Sequence, residues 1–227
     1  MERESGNNKL LKDIAFAQGI SLFGVAKITD GIKQNVIQIS PRILEDLSFA
    51  ISLGFRLSDK VIDDIKDHPT QLYLHHYRQV NYLLDRVALI ISNFIQSQGY
   101  QALPIPASQV IDWENQRGHL SHKLIASEAG LGWIGRNNLL VTPNWGARVR
   151  LVSILTNMPL QPTRRSSRNC GNCYRCIEVC PAGAIKQRKE DFDHLACFEQ
   201  LKKFRKEYNI PHYICGICVK ACKGFAS

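Results

Sequence analysis

Apolar residues recur with helical spacing in one long segment of the chain. Within Gln71–Gln98 many apolar residues are separated by three or four positions, which predicts an amphipathic helix that opens after Pro69 and ends at Gly99. The members of this predicted apolar face are Leu72, Val80, Leu83, Leu84, Val87, Leu89, Ile90, Ile91, Phe94 and Ile95. So broad a face is typical of a helix that packs on a hydrophobic core.

Shorter patterns predict the elements around this helix. Helical spacing covers residues 10–17, and another helix is expected over about residues 120–129. Apolar and β-branched runs predict strands at residues 21–28, 47–53, 138–141 and 149–155. This alternation of helices and strands predicts an α+β domain.

The last quarter of the chain is organised by cysteine. Residues 161–169, QPTRRSSRN, have the composition of a linker, and all eight cysteines lie between Cys170 and Cys222. We therefore predict two domains, residues 1–162 and residues 163–227. A chain of 227 residues can bury a sufficient core without disulfides, so these clustered thiols indicate metal ligands or catalysts in a reducing cytoplasm. Since no apolar run approaches the ~20 residues of a membrane-spanning helix, no membrane association is expected.

The cysteine spacing is typical of an iron–sulfur protein. Cys170-x-x-Cys173-x-x-Cys176-x-x-x-Cys180-Pro is the bacterial ferredoxin pattern, in which the fourth cysteine ligates the other cluster. Applied to the whole chain, this crossing predicts a first 4Fe-4S cluster on Cys170, Cys173, Cys176 and Cys222. It predicts a second cluster on Cys180, Cys197, Cys215 and Cys218. Zinc is the alternative, because CxxC pairs also build zinc sites, but zinc gives no reason for the CxxCxxC triplet.

The charge distribution allows two interpretations. The net charge is +9, and residues 163–227 carry 13 Lys and Arg against 6 Asp and Glu. A basic segment of this kind suggests nucleic acid or an acidic partner. Alternatively, part of the positive charge offsets the charge of two ligated clusters, about −2 each.

Three other patterns are candidates for binding sites. Gly130-Leu-Gly-Trp-Ile-Gly135 satisfies GxGxxG, but a helical segment precedes it and a strand pattern follows, so a dinucleotide site is not expected. Residues 129–177 contain seven arginines, no lysine and no acidic residue, which suits a large ligand with phosphate or amide groups or a solvated surface. The pairs His119/His122 and His75/His76 lack a third ligand of interpretable spacing, so structural roles are expected for them.

Several of these segments together resemble the epoxyqueuosine reductase and reductive dehalogenase-like group of cobalamin-dependent iron–sulfur proteins. The resemblance runs through residues 129–142, AGLGWIGRNNLLVT, residues 150–160, RLVSILTNMPL, and the two cysteine motifs. It implies a nitroreductase-like α+β domain that holds a base-off corrinoid, followed by a ferredoxin-like domain with two 4Fe-4S clusters. The residues that it implies at the corrinoid are Ala107, Ser108, Gly132, Trp133, Gly135, Arg136, Asn137, Ser153, Ile154 and Thr156.

Two departures from this group affect the expected substrate. Epoxyqueuosine reductases carry a proton-donating aspartate in a motif that here reads Pro104-Ile-Pro-Ala-Ser108, with Ala107 at the aligned position. Asp112 and Glu114 are nearby acids outside that position. Five residues follow Cys222, so the tRNA-contacting module of those enzymes is expected to be absent and tRNA is not an expected partner.

The resemblance therefore predicts a cytoplasmic corrinoid-dependent reductase of a small molecule. Its expected partner is a low-potential electron donor such as ferredoxin or flavodoxin. The alternative is a non-catalytic electron-transfer protein that reduces or handles the corrinoid of another enzyme or corrinoid protein, and the missing aspartate favours this second hypothesis. Nucleic-acid binding through the basic residues of 163–227 is a third hypothesis for the function.

Overall fold

The computed structural model describes residues 2–224. Its helices are α1 (Glu2–Ala17), α2 (Asp30–Gln34), α3 (Pro41–Leu44), α4 (Asp59–Asp63), α5 (Gln71–Ser97), α6 (His122–Glu128), α7 (Arg175–Glu178), α8 (His194–Glu207) and α9 (Ile217–Ala221). Its strands are β1 (Leu22–Lys27), β2 (Phe49–Arg56), β3 (Ala102–Ile105), β4 (Trp133–Ile134), β5 (Leu140–Val141) and β6 (Val149–Thr156). Helices and strands are mixed, which confirms the predicted α+β class. Within residues 2–224, no helix is both long and apolar enough to cross a membrane.

The chain folds into two compact units, each built from separated segments. The first unit contains residues 2–55, 81–131 and 150–166, and the second contains residues 56–80, 132–149 and 167–224. Two segments from the first 162 residues thus pack with the cysteine-bearing segment. Local composition could not reveal this, because a linker-like stretch marks a change along the chain and not the packing partners of earlier segments. The functional division at residues 162 and 163 stays a prediction.

The first unit is centred on a four-stranded sheet in the order β1-β2-β6-β3. Strands β1 and β2 are antiparallel with Val25 opposite Ile51, and β3 and β6 are antiparallel with Ile105 opposite Ser153. Helices α1 and α6 pack against β1. The predicted strands at residues 21–28, 47–53 and 149–155 are confirmed, with shifts of a few residues at their ends.

Helix α5 confirms the long amphipathic pattern, but its buried face is narrower than predicted. Buried side chains recur along it at helical spacing: Leu84, Val87, Ile91 and Ile95 are 0% exposed. Leu72 and Leu89 were included in the predicted face, yet they are 54% and 62% exposed. Leu89 stands five positions after Leu84, which places it about 140° around the helix and away from the core.

The second unit contains small elements joined by long loops. Strands β4 and β5 form an antiparallel hairpin with Trp133 opposite Val141, and helices α4 and α7 both pack against α9. The GxGxxG match, residues 130–135, runs into β4, and β5 rather than a helix follows the last glycine. The motif therefore lacks the helix N-terminus that a dinucleotide phosphate requires.

Candidate iron–sulfur centre

Cys170 and Cys173 lie on one tight turn. The Cys173 N–H donates to the Cys170 carbonyl at 3.0 Å, and the Gly171 N–H donates to Oδ1 of Asn169 at 2.7 Å. An Asn side chain that accepts from the backbone two residues later is a local signal for a turn. Helix α7 follows this turn at once and carries Cys176.

Cys222 is held in place by the backbone of the segment between β5 and β6. It caps the C-terminus of α9, and its carbonyl accepts a hydrogen bond from the Ala147 N–H at 3.2 Å. Gly146 has a φ of +57°, and a Cβ on it would lie 2.1 Å from the Cys222 carbonyl oxygen. Glycine is therefore required at residue 146 for Cys222 to occupy its position.

One set of four thiols interacts within itself, and we name Cys170, Cys173, Cys176 and Cys222 the first foursome. Burial raises the pKa of Cys176 to about 11, and the nearby thiols of Cys222, Cys170 and Cys173 contribute in the same direction. Burial also raises the pKa of Cys222, which interacts electrostatically with Cys170 and Cys173. These interactions join Cys222 to the three cysteines of the CxxCxxC triplet.

The other four cysteines, Cys180, Cys197, Cys215 and Cys218, form the second foursome. Burial raises the pKa of Cys215 to about 12, with contributions from Cys197 and Cys180. Burial raises the pKa of Cys218 well above that of an ordinary thiol, and Cys215, Cys197, Cys176 and Cys180 act in the same direction. Because Cys218 also interacts with Cys176 of the first foursome, the two sets of thiols are adjacent.

The donor set fits two 4Fe-4S clusters, since each such cluster takes four cysteine thiolates. A buried thiol with a raised pKa stays protonated in the absence of metal, whereas bound iron stabilises the thiolate. In the part of the chain that the structure describes, no group of three or more His, Cys, Asp or Glu side chains is arranged to hold a single metal ion. The assignment of each foursome to one cluster stays a proposal. It is supported by the electrostatic interactions among the thiols within each foursome.

Half of the residues expected at a corrinoid lie in the second unit, within β4 or within three residues of it: Gly132, Trp133, Gly135, Arg136 and Asn137. A Cβ on Gly132 would lie 2.1 Å from the Val141 carbonyl oxygen, so the hairpin itself requires this glycine. Asn137 is buried, and its Oδ1 accepts from the Leu139 N–H at 3.3 Å.

The other half lies in the first unit, on β6 and on the loop after β3: Ala107, Ser108, Ser153, Ile154 and Thr156. The three β6 side chains are each 0% exposed. The Thr156 hydroxyl donates to the Gln101 carbonyl at 2.6 Å. A corrinoid contact by any of these ten residues stays a prediction.

Three side chains hold the backbone of the loop that contains Ala107. Oδ1 of Asp85 accepts a hydrogen bond from the Ala107 N–H at 2.7 Å, and Nη2 of Arg150 donates to the Ala107 carbonyl at 3.5 Å. Nε2 of His122 donates to the carbonyl of Pro106 at 2.8 Å. Sequence reasoning missed Asp85, because nothing in the helical pattern of α5 marks it as a partner of a residue 22 positions later.

The acids near Ala107 in sequence lie in a separate turn. Asp112 accepts hydrogen bonds from the backbone N–H and the side-chain amide of Asn115 at 3.0 and 2.9 Å. These bonds stabilise the carboxylate and lower the pKa of Asp112, with the backbone bond making the larger contribution. A carboxyl group with a lowered pKa is a poor proton donor at neutral pH.

His122 is fixed as a neutral ring. Since Nε2 donates to the Pro106 carbonyl, Nδ1 accepts from the Ser153 hydroxyl at 2.9 Å. Burial lowers the pKa of His122 from 6.5 to about 4, and Arg150 acts in the same direction. The second candidate of this pair, His119, has its Nδ1 3.1 Å from the Ile37 carbonyl.

Replacing His122 with asparagine should reduce the acid sensitivity of the fold. The unfolded chain takes up a proton on His122 below about pH 6.5, whereas the folded chain takes it up only near pH 4, so the wild-type protein loses stability across this window. Between pH 7.5 and pH 5 the wild-type protein should lose about 2 kcal/mol more than His122→Asn. Urea unfolding under anaerobic conditions at the two pH values measures the difference. Equal losses in both proteins would contradict the assignment of a neutral His122.

The arginines of residues 129–177 have different surroundings. Arg148 is itself buried, at 4% exposed, and Nε of Arg150 donates to Oδ1 of the buried Asn81 at 3.0 Å. Arg165 is exposed and pairs with Glu128 at 3.1 Å. The interpretation as a solvated surface therefore applies to some of these arginines and not to others.

Comparison with known proteins supports the iron–sulfur interpretation. Residues 169–224 match the 4Fe-4S double cluster binding domain family. The epoxyqueuosine reductase of Listeria monocytogenes is 33% identical over 113 residues, which cover 46% of this chain and 30% of that enzyme. The tetrachloroethene reductive dehalogenase of Sulfurospirillum multivorans is 30% identical over 145 residues, or 58% of this chain and 27% of that enzyme.

Solved structures of the same two kinds of enzyme share the fold. A reductive dehalogenase described as B12-dependent superposes with a TM-score of 0.74 at 15% identity, over 96% of this chain and 32% of that one. An epoxyqueuosine reductase bound to an epoxyqueuosine-modified tRNA-Tyr stem loop superposes with a TM-score of 0.59 at 18% identity, over 85% of this chain and 55% of that one. The resemblance seen in the sequence is thus confirmed. The matched region spans 30% and 27% of the length of the two curated relatives.

Proposed function

We propose that this chain is a cobalamin-dependent iron–sulfur reductase in which two 4Fe-4S clusters pass electrons to a base-off corrinoid. The observation that carries the proposal is the grouping of eight cysteines into two foursomes within a segment that matches a double cluster binding domain. A low-potential donor such as ferredoxin or flavodoxin supplies the electrons. The predicted cytoplasmic location belongs to the same proposal.

The protein's own residues contribute the electron path and the surroundings of the reaction. The thiols of the two foursomes are adjacent, since Cys218 interacts electrostatically with both Cys215 and Cys176. Electrons can pass from one cluster to the other only if the two clusters lie close together. When bound, the corrinoid supplies the bond-breaking chemistry at its metal. Cobalamin is supported by the sequence resemblance and by the B12-dependent structural neighbour.

A non-catalytic role in reducing a corrinoid for another protein is the second candidate. It is favoured by Ala107, which has no proton to give and whose backbone is held by Asp85 and Arg150. The two candidates share the clusters and differ in whether a substrate is turned over.

Anaerobic reconstitution of the full chain separates these functions. The proposal expects roughly eight iron atoms per chain, two paramagnetic centres on reduction, and a shift in the cobalamin absorption spectrum when the protein is added. The reduced protein is then offered tetrachloroethene and an epoxyqueuosine-containing tRNA stem loop. Multiple turnover of either supports the reductase, whereas cobalamin reduction without turnover of either supports the second candidate. A protein with two clusters that leaves the cobalamin spectrum unchanged would contradict both.

Introducing an acid at residue 107 should increase epoxyqueuosine reduction. A positioned acid contributes typically about 10²- to 10⁴-fold, so Ala107→Asp should raise the initial rate on the tRNA stem loop by a factor in this range. Ala107→Asn is the matched control, because it has nearly the same shape and no proton of comparable acidity. An equal rate for both variants would show that proton supply at this position does not limit the reaction.

A further inference from the structure

The indole of Trp133 lies against the first foursome. Trp133 is 6% exposed, and its Nε1–H donates to Sγ of Cys170 at 3.4 Å. A Cβ on Gly135 would also lie 3.4 Å from this sulfur. The sulfur of Cys170 is therefore packed against the β4–β5 hairpin and accepts a hydrogen bond from it.

The guanidinium of Arg136 binds the turn that carries Cys170 and Cys173. Its Nη2 donates to the Gly171 carbonyl at 2.9 Å, and its Nη1 donates to the Cys173 carbonyl at 3.2 Å. Its Nε donates to the Gln187 carbonyl at 2.6 Å, and the group lies 4.6 Å from the centre of the Tyr174 ring. The planar fork of arginine is suited to such simultaneous bonds, and it places a permanent positive charge on this turn.

We propose that Trp133 and Arg136 are positioning residues that fix the Cys170–Cys173 turn and raise the reduction potential of the cluster bound by the first foursome. The inference rests on the proposed two-cluster function. One-electron reduction makes a cluster more negative by one charge. A hydrogen bond to a ligand sulfur and a nearby cation both stabilise the more negative state, so both raise the potential.

Single substitutions test the two side chains separately. Trp133→Phe removes the N–H and keeps an aromatic ring, and Arg136→Gln removes the charge. Each should lower the midpoint potential of the first cluster, with a decrease of about three- to tenfold in its one-electron reduction equilibrium, where tenfold corresponds to about 59 mV. Arg136→Lys keeps the charge and should shift the potential less than Arg136→Gln.

Two matched controls accompany these variants. Arg205→Gln removes an arginine of the same unit that also lies over a tyrosine ring, Tyr213, at 5.1 Å. Trp113→Phe alters an exposed tryptophan. Neither control should move the midpoint potential of the first cluster.

An anaerobic redox titration followed by electron paramagnetic resonance measures the potentials, with the first cluster identified as the signal lost in Cys170→Ala. Wild-type protein without two clusters would overturn the proposed function itself. Two intact clusters with unchanged potentials in both Trp133→Phe and Arg136→Gln would overturn only this inference, as would an equal shift in Arg205→Gln. If Arg136→Gln lost the first cluster, the loop-fixing role would be supported and Trp133→Phe would still test the potential.

Discussion

Replacing Arg148 with methionine should lower the free energy of unfolding by about 3 kcal/mol, because it removes the centre of an ion-pair network. Nη1 of Arg148 donates to Asp59 and Nη2 donates to Asp63, each at 2.8 Å, and Nη2 also donates to the Lys220 carbonyl at 2.9 Å. The Arg148 side chain is 5% exposed, whereas the two aspartates are 44% and 47% exposed. The aspartates left behind keep contact with water, so the expected cost is at the lower end for a broken buried pair.

Arg56→Met is the matched control for this prediction. Arg56 also pairs with Asp59, but its side chain is 46% exposed, and exposed pairs contribute about 0–1 kcal/mol. Anaerobic urea unfolding of the holoprotein measures both variants. A loss below about 1 kcal/mol in Arg148→Met, or an equal loss in Arg56→Met, would contradict the structural role assigned to Arg148.

Replacing Cys222 with alanine should remove one cluster and leave the other. The expected iron content is roughly four atoms per chain in place of roughly eight, because a cluster that loses one of four thiolates is no longer held. The retained cluster should be the one bound by the second foursome, since Cys222 interacts electrostatically with Cys170 and Cys173.

Double variants distinguish the crossed assignment from the uncrossed one. Cys222→Ala with Cys170→Ala alters one cluster twice in the crossed assignment, so roughly four iron atoms should remain. Cys222→Ala with Cys215→Ala alters both clusters, so almost none should remain. If each cluster were bound by consecutive cysteines, the two results would be reversed. Iron and sulfide analysis, together with electron paramagnetic resonance, measures the cluster content of the single variant and of the two double variants.

The structure assigns other partners to several residues that the sequence placed at a corrinoid. Trp133 and Arg136 bind the turn of the first foursome, and Gly132 is required by Val141 of the opposite strand. A family motif indicates which residues belong to a common site, but it does not show which atoms each residue contacts. Hydrogen-bond partners 35 or more positions apart, such as Arg136 and Gly171, are defined only by the folded chain.

The sequence by itself determined the parts of this protein that depend on short-range spacing. The CxxCxxC triplet indicates an iron–sulfur site because a tight turn brings nearby thiols to one cluster, and the amphipathic period of α5 predicts a helix because its apolar face must be buried. Both features follow from geometry within a few residues, which is why they could be predicted and why the resemblance was recognisable.

Only the tertiary structure decided how distant segments meet. Residues 56–80 and 132–149 pack with the cysteine segment. Arg148 belongs to a stretch of sequence without acidic residues, and it forms ion pairs with two aspartates that lie 85 and 89 positions earlier in the chain. A buried charge must be paired, but any acidic residue of the chain could satisfy that need. Asp59 and Asp63 are the partners of Arg148 because α4, which carries both, packs against α9. No local sequence pattern predicts that packing.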